Sequence, residues 1–533
     1  MMIDYLLVGG QVVASEGQAE PFVGTVAIAG ERIVWVQQGI VDAPARQRID
    51  CSGLIVAPGF IDIHTHSDAA FLKDSGGQSQ ITQGVTTEIA GNCGHSCAPC
   101  ADPILLRKHL LAVQDSTEIT WRTFAEYLDV LQATRPVLNV ASYVGHGTVR
   151  LAVKGTASSA AGADELSAMG TYLRQALDDG AIGISTGLEY APGMHATAVE
   201  LLEAGAIAAE FDVVYASHVR NRDWLIEMGV GEALGIARTT RSKLQLSHIA
   251  PKYGAPQGAA DRLLEMVRWA RKDGADVGFD VIPDEWGPTK VIASLPTWAL
   301  ELPSDELRSL LRPGPSRARL QENAFPNWKL LADHRWDLLV LYHCGANPSY
   351  MGKTIQQIAV ERQSTPWDCI CDLLLEEGAE MSRLMWCGRV SSQADIDTLI
   401  RQPDCMVISD GVSVSEVGAL KDLRFSPIAF SWAASFLQKY VRDQRVLDIV
   451  EAVGRLTWTP ARRFRLEHRG ELRAGYYADV AIFDLDQIHC HSTLENPNVK
   501  STGVTHVFVN GTAVMRDASI TEARPGKVLR RRA

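Results

Sequence analysis

Eight apolar stretches, each closing on a residue able to do chemistry, constrain this chain more than any other feature. They are FIDIHTHSD (60–68), GVTTEIAGNCG (84–94), VLNVASYVGHG (137–147), GAIGISTG (180–187), DVVYASHVR (212–220), KLQLSHIA (243–250), ADVGFDVIP (275–283) and CMVISDG (405–411). Between them run segments such as ADELSAMGTYLRQALDD (163–179) and AADRLLEMVRWARKDG (259–274), whose apolar residues recur three and four apart and so predict helices. Strands alternating with helices at this pitch predict a parallel sheet, because a parallel pair needs a crossover connection. Eight such units predict an α/β chain folded as a (β/α)8 TIM-like barrel. In that architecture the C-terminal strand ends share one cavity, so residues far apart in sequence meet there. The strand-end residues are His64 and His66, Cys93, His146, Ser185 and Thr186, His218, His248, Asp280 and Asp410.

The two chain ends have a different texture. Residues 1–57 read as short β segments with turns, and the same pattern returns from about 470 in ADVAIFDLD and VTHVFVNGTAV. The domain plan is therefore a small β-sandwich built from 1–57 and 470–533 around a barrel at 58–469. An interval at about 285–400 is too long for a simple connection and is expected to form a lid or subdomain over the cavity. With 533 residues, 46% of them hydrophobic, the chain can bury cores of this size. A formal charge of −12 argues against nucleic acid or an anionic membrane as partner. The opening MMIDYLLVGGQVVASEG has no basic n-region, and no run of 18 apolar residues occurs, so the expected location is the cytoplasm. Self-association into a homo-oligomer stays open.

GNCGHSCAPC (91–100) sets Cys93, Cys97 and Cys100 in a C-x3-C-x2-C array. A disulfide is the least expected reading for ten cysteines in a reducing compartment. The spacing also suits a radical-type [4Fe–4S] cluster. A third reading makes Cys93 one ligand of a different metal site. His64-Thr65-His66 puts two imidazoles on one strand face, since side chains alternate with period two. An H-x-H pair alone is weak evidence, and each of these residues singly reads as structural. His218 and His248 end two further strands, however, and Asp410 follows the last one. Imidazole with thiolate suits zinc, one ion or two. The cluster reading leaves four strand-end histidines and Asp410 without a role.

These residues resemble the amidohydrolase superfamily and, within it, the N-acyl-D-amino-acid deacylases (D-aminoacylases). The carriers are APGFIDIHTHSD, GVTTEIAGNCG, NVASYVGHGTVRLAV, GAIGISTGLEYAPG, YASHVR, LSHIA, ISDG, RGELRAGYYADVAIFD and ARPGKVLR, in order over nearly the whole chain. The resemblance implies that His64, His66, Cys93, His218 and His248 are metal ligands, with Cys93 in the bridging place that a carboxylated lysine holds in relatives. It implies that Asp410 is the catalytic acid–base group, and that Cys97 and Cys100 need no metal role. A divalent ion lowers the pKa of its bound water to about 7. The resulting hydroxide would attack the amide carbonyl of a small-molecule substrate while Asp410 takes the proton and passes it to the leaving nitrogen.

The chain departs from that family around the substrate. A lysine usually stands two places after the sixth-strand histidine; here that place is Ala250, and Lys252 lies two further on. The usual D-x-Y-P-Y after the seventh strand reads Asp280-Val281-Ile282-Pro283-Asp284. Exchanging a cation and a phenol for Ala250 and Asp284 removes attraction for an anion and adds repulsion. Tyr190 is retained, and Tyr190, Lys252 and Asp284 are the candidate substrate contacts. The alternative activity is a cyclic amidase or another amidohydrolase acting on a neutral or cationic amide. A non-catalytic scaffold would have no physical need for so complete a polar site.

Overall fold

The computed structural model describes residues 2–110, 117–322 and 329–531. The eight barrel strands are Phe60–Asp62, Val85–Ala90, Asn139–Ser142 continued by Val144–Gly145, Gly183–Gly187, Val214–His218, Lys243–Leu246, Val277–Val281 and Cys405–Val407. Each pairs in parallel with the next. Almost every strand residue is buried on both faces, which is why the sequence reads as apolar runs and not as alternation. The barrel closes between its eighth and first strands. Thr65 bridges Gly411 in parallel, Asp410 N donates to His64 O at 3.0 Å, and His66 N donates to Gly411 O at 2.8 Å.

The crossover helices follow from periodicity and caps. Ala259–Lys272 buries Ala260, Leu263, Leu264 and Val267 and turns Asp261, Glu265 and Arg268 outward. Ala198–Glu210 starts on a capping box, with Thr197 accepting from Glu200 N and the Glu200 carboxylate accepting from Thr197 N.

The chain ends form one nine-stranded sheet. Its seam is the antiparallel pairing of Ile55–Pro58 with Val480–Phe483. The sheet rolls onto itself. Tyr5 meets Phe508 at a centroid distance of 4.9 Å, Ile33 N donates to Tyr476 O at 2.9 Å, and Leu7, Val26, Val480 and Ile482 fill the interior. The last residues leave this sheet for the barrel, where Leu529 N donates to Val140 O at 2.8 Å and Arg531 N to Gly180 O at 3.0 Å.

The long interval before the eighth strand builds its own three-stranded antiparallel sheet, Trp286–Lys290, Leu339–His343 and Met385–Arg389, over a separate apolar core that includes Leu295, Leu311 and Trp386. The helix Gln393–Ile400 instead packs on Ala259–Lys272 and Val277–Val281, so it is the barrel's own crossover helix. Lys290 latches the insertion to the barrel, its ammonium donating to the carbonyls of Lys108, His109 and Leu110 at 3.1, 3.1 and 3.0 Å. Among the described residues, no helix is long and apolar enough to cross a membrane.

Candidate active site

The backbone bonds that close the barrel also assemble its chemistry. Because Asp410 N is tied to His64 O, the Asp410 carboxylate meets both histidines of the H-x-H pair: Oδ1 lies 3.1 Å from His66 Nε2 and 3.5 Å from His64 Nε2. Asn92 orients the next strand end by donating to Ile89 O at 2.9 Å and Thr65 O at 3.3 Å. Cys93 Sγ then stands 3.2 Å from His64 Nε2 and 3.3 Å from His248 Nε2. Donor atoms of His64, Cys93, His248 and Asp410 all fall within 4.8 Å of one another, and all four residues are buried. His218 flanks the group, its ring edge-on to His248 at 4.6 Å.

Three of these residues hold the left-handed backbone conformation, Cys93 at φ 51°, His248 at φ 36° and Asp410 at φ 48°, a strained arrangement that clusters at functional sites. The Cys93 turn is walled by main chain. A Cβ at Gly187 would stand 1.9 Å from Cys93 O, and one at Gly145 would stand 2.4 Å from Gly94 O.

The electrostatics fit a cation. Burial pushes the Cys93 thiol well above its ordinary value, so a thiolate there needs a positive partner. Burial holds His64 down at about 3 and His218 at about 4, leaving neutral imidazoles as metal ligands must be. His218 Nδ1 is a buried ring nitrogen without a hydrogen-bond partner, while the unpartnered Nδ1 atoms of His64 and His66 belong to rings whose Nε2 atoms face Cys93 and Asp410. At His218 the partnerless nitrogen is the one away from Glu189, which accepts from Nε2 at 2.9 Å. Nitrogen, sulfur and carboxylate donors at these distances suit zinc. Neither Cys97 nor Cys100 belongs to this donor group; both are buried in the barrel's apolar core, and Arg122 Nη1 lies 3.7 Å from Cys100 Sγ.

Above the donors opens a cavity of about 450 Å³, walled by His66, Cys93, Tyr190, His248 and Asp410 below and by Ile292, Leu307, Met381 and Met385 of the insertion above, within the range of small-molecule sites. A recess of about 30 Å³ shares Tyr190, His248 and Asp410 with it and adds Arg222, Ala250, Lys252, Ile282 and Asp284. Tyr190 lies edge-on to His218 at 4.9 Å. All three candidate substrate contacts thus border one space. Lys252 Nζ donates to Glu189. Asp284 accepts from Trp286 N at 3.0 Å, and loss of water pushes its carboxyl up to about 6.

Other strand-end residues take supporting places. Ser185 Oγ donates to Gly91 O at 2.5 Å and accepts from Gly94 N at 3.1 Å, holding the Cys93 turn. Asp280 accepts from His248 N at 2.6 Å and Gln245 Nε2 at 2.7 Å. His146 lies outside the cavity wall, 3.9 Å from Glu200, which Arg150 binds at 2.7 Å. Sequence reasoning missed Glu189 and Arg222. Arg222 Nη1 donates to His248 O at 2.7 Å and lies 2.8 Å from its Nδ1. The available signals were a carboxylate in STGLEYAPG just past the fourth strand and an arginine four places after His218.

Comparison with known proteins agrees with this geometry. The Amidohydrolase family model matches residues 47–220 and 379–515, leaving out most of the insertion. The chain is 32% identical over 532 residues to the N-acyl-D-glutamate deacylase of Alcaligenes xylosoxydans xylosoxydans, covering 99% of this chain and 97% of that protein. It is 30% identical over 537 residues to the D-aminoacylase of the same organism, covering 99% and 98%. The crystal structure of N-acyl-D-glutamate deacylase from Bordetella bronchiseptica, complexed with zinc and a phosphonate mimic of the tetrahedral intermediate, superposes with a TM-score of 0.82 at 29% identity over 100% of both chains. The chain belongs to the amidohydrolase family, on the branch of the N-acyl-D-amino-acid deacylases.

Proposed function

We propose that this metal-dependent hydrolase removes the acyl group from N-acylated D-amino acids. Its zinc ligands are His64, His66, Cys93, His218 and His248, and Asp410 is its acid–base group. The reading is carried by one observation, the buried group of His64, Cys93, His248 and Asp410 within 4.8 Å under the cavity. Bound zinc supplies a Lewis acid for the amide carbonyl and makes water a nucleophile at neutral pH. The protein's own groups manage the proton. Burial works to raise the Asp410 carboxyl, but the hydrogen bond from His66, the neighbouring His64 ring and the Arg222 guanidinium outweigh it and hold the group below its ordinary value. It is therefore a carboxylate able to take a proton, and once protonated it can give that proton to the leaving nitrogen. The insertion roofs the cavity with apolar side chains such as Ile292, Leu307, Met381 and Met385. The direct test is metal analysis of the purified protein together with hydrolysis of N-acetyl-D- and L-amino acids. A protein free of zinc, or inactive on every amide offered after zinc loading, overturns the reading. Cys97→Ala and Cys100→Ala are expected to retain zinc and activity; loss of metal in either would bring back the three-cysteine cluster.

The recess supports a second reading, a neutral or cationic amide. Ala250 and Asp284 stand there where a cation and a phenol would favour a carboxylate, and Lys252 is engaged by Glu189. Binding an α-carboxylate out of water needs a compensating partner. N-acetyl-D-amino acid amides are then expected to be better substrates than the free acids. The double substitution Ala250→Lys with Asp284→Tyr should move the kcat/KM ratio toward the acids by about tenfold or more, the equivalent of about 1.4 kcal/mol. Efficient cleavage of the free acids by the unmodified enzyme, with kcat/KM above about 10⁴ M⁻¹s⁻¹, would remove this reading and assign Lys252 or Arg222 to the carboxylate.

A further inference from the structure

We infer that Glu189 is a positioning residue for the metal centre, selecting the ring nitrogen that His218 offers to zinc and fixing its aim. The inference rests on the zinc reading above. Glu189 is fully enclosed and reaches three site elements at once. Its Oε2 accepts from His218 Nε2 at 2.9 Å and from Lys252 Nζ, and its Oε1 accepts from the backbone N of Arg222 at 3.1 Å. These partners come from the end of the fifth strand, the segment after it and the segment after the sixth strand, while Glu189 itself follows the fourth.

An imidazole beside a carboxylate has only one stable arrangement of its proton. The carboxylate, paired with the Lys252 ammonium, accepts and does not donate, so the His218 proton sits on Nε2. That leaves Nδ1 as a lone pair, and Nδ1 is the buried nitrogen without a hydrogen-bond partner. A carboxylate behind a ligating histidine also raises the basicity of the ring and restricts its rotation. The other two contacts of Glu189 extend this control. Holding Arg222 N fixes the residue whose guanidinium donates to His248 O, so one carboxylate steadies the surroundings of two neighbouring histidines. Without Glu189, His218 can carry its proton on either nitrogen and Lys252 loses an anionic partner.

The test is zinc affinity, measured by competition with a chelator, in the full-length protein and in Glu189→Gln. The variant is expected to bind zinc about 10- to 100-fold more weakly, and the absorption bands of the cobalt-substituted form should shift because a ligand has changed its aim. A double-mutant cycle separates this from a general structural role. Once His218→Ala is present, adding Glu189→Gln should weaken zinc by much less than it does in the parent. If Glu189→Gln does not fold, Glu189→Asp, which keeps the charge but shortens the reach, is read in the same way. An affinity within about twofold of the parent in a folded variant overturns the inference, as does an equal loss with and without His218. A parent protein that holds no zinc overturns the underlying reading instead, so the two failures are distinguishable.

Discussion

Cys93→Ala is expected to lose zinc and activity together. Cys93 Sγ stands between His64 Nε2 and His248 Nε2 at 3.2 and 3.3 Å, so its removal takes the central atom out of the donor group and leaves facing imidazoles with no anion between them. Structural and catalytic zinc sites keep three or four protein donors, and binding is lost steeply as ligands are removed. The backbone should survive, because alanine at φ 51° is no more strained than cysteine there. Metal analysis beside circular dichroism reads the result. A folded Cys93→Ala protein with full zinc content would remove Cys93 from the ligand set.

Asp410→Asn is expected to lower turnover by about 10²-fold or more while zinc stays bound. The amide has the size of the carboxylate and can still hydrogen-bond to His66, but it cannot take a proton. Chemistry should fail at both ends, in activating water and in protonating the leaving nitrogen. Five ligands remain in the proposed set, so metal content is expected to stay near that of the parent. Turnover close to the parent with zinc present would mean that another group shuttles the proton.

What the sequence made legible follows from chain-local patterns. Each barrel strand and its terminal residue lie within about ten positions, and the helix between strands is read from a 3.6-residue period, so His64, His66, Cys93, His218, His248 and Asp410 could be gathered by architecture alone. Residues 163–179 and 259–274 read as helices for the same reason, and helices occupy Ala163–Asp178 and Ala259–Lys272. Glu189 was not legible because its partners, His218, Arg222 and Lys252, sit 29 to 63 positions away with no repeating spacing. The insertion's sheet was hidden in the same way. Its strands are scattered over about a hundred residues, and Trp286–Lys290 pairs with Met385–Arg389 across nearly the whole interval. The engagement of Lys252 by Glu189 is likewise tertiary; the sequence could only note that the lysine is displaced.

The main-chain wall around Cys93 divides the enzyme into a part that evolution can edit and a part that it cannot. Where Gly187 and Gly145 press against the carbonyls of Cys93 and Gly94, no side chain can be added without moving the backbone of a barrel strand. Side-chain drift nearby therefore has little means of re-aiming the sulfur. The roof is built differently. Its wall includes Ile292, Leu307 and Met381, side chains on helical segments of the insertion that share a separate core, so substitutions there reshape the cavity without touching the floor. New substrate preferences should accumulate in the insertion and in recess positions such as Ala250 and Asp284, over an inherited reaction. Grafting the insertion from one relative onto the barrel of another should accordingly transfer selectivity and leave zinc affinity with the recipient.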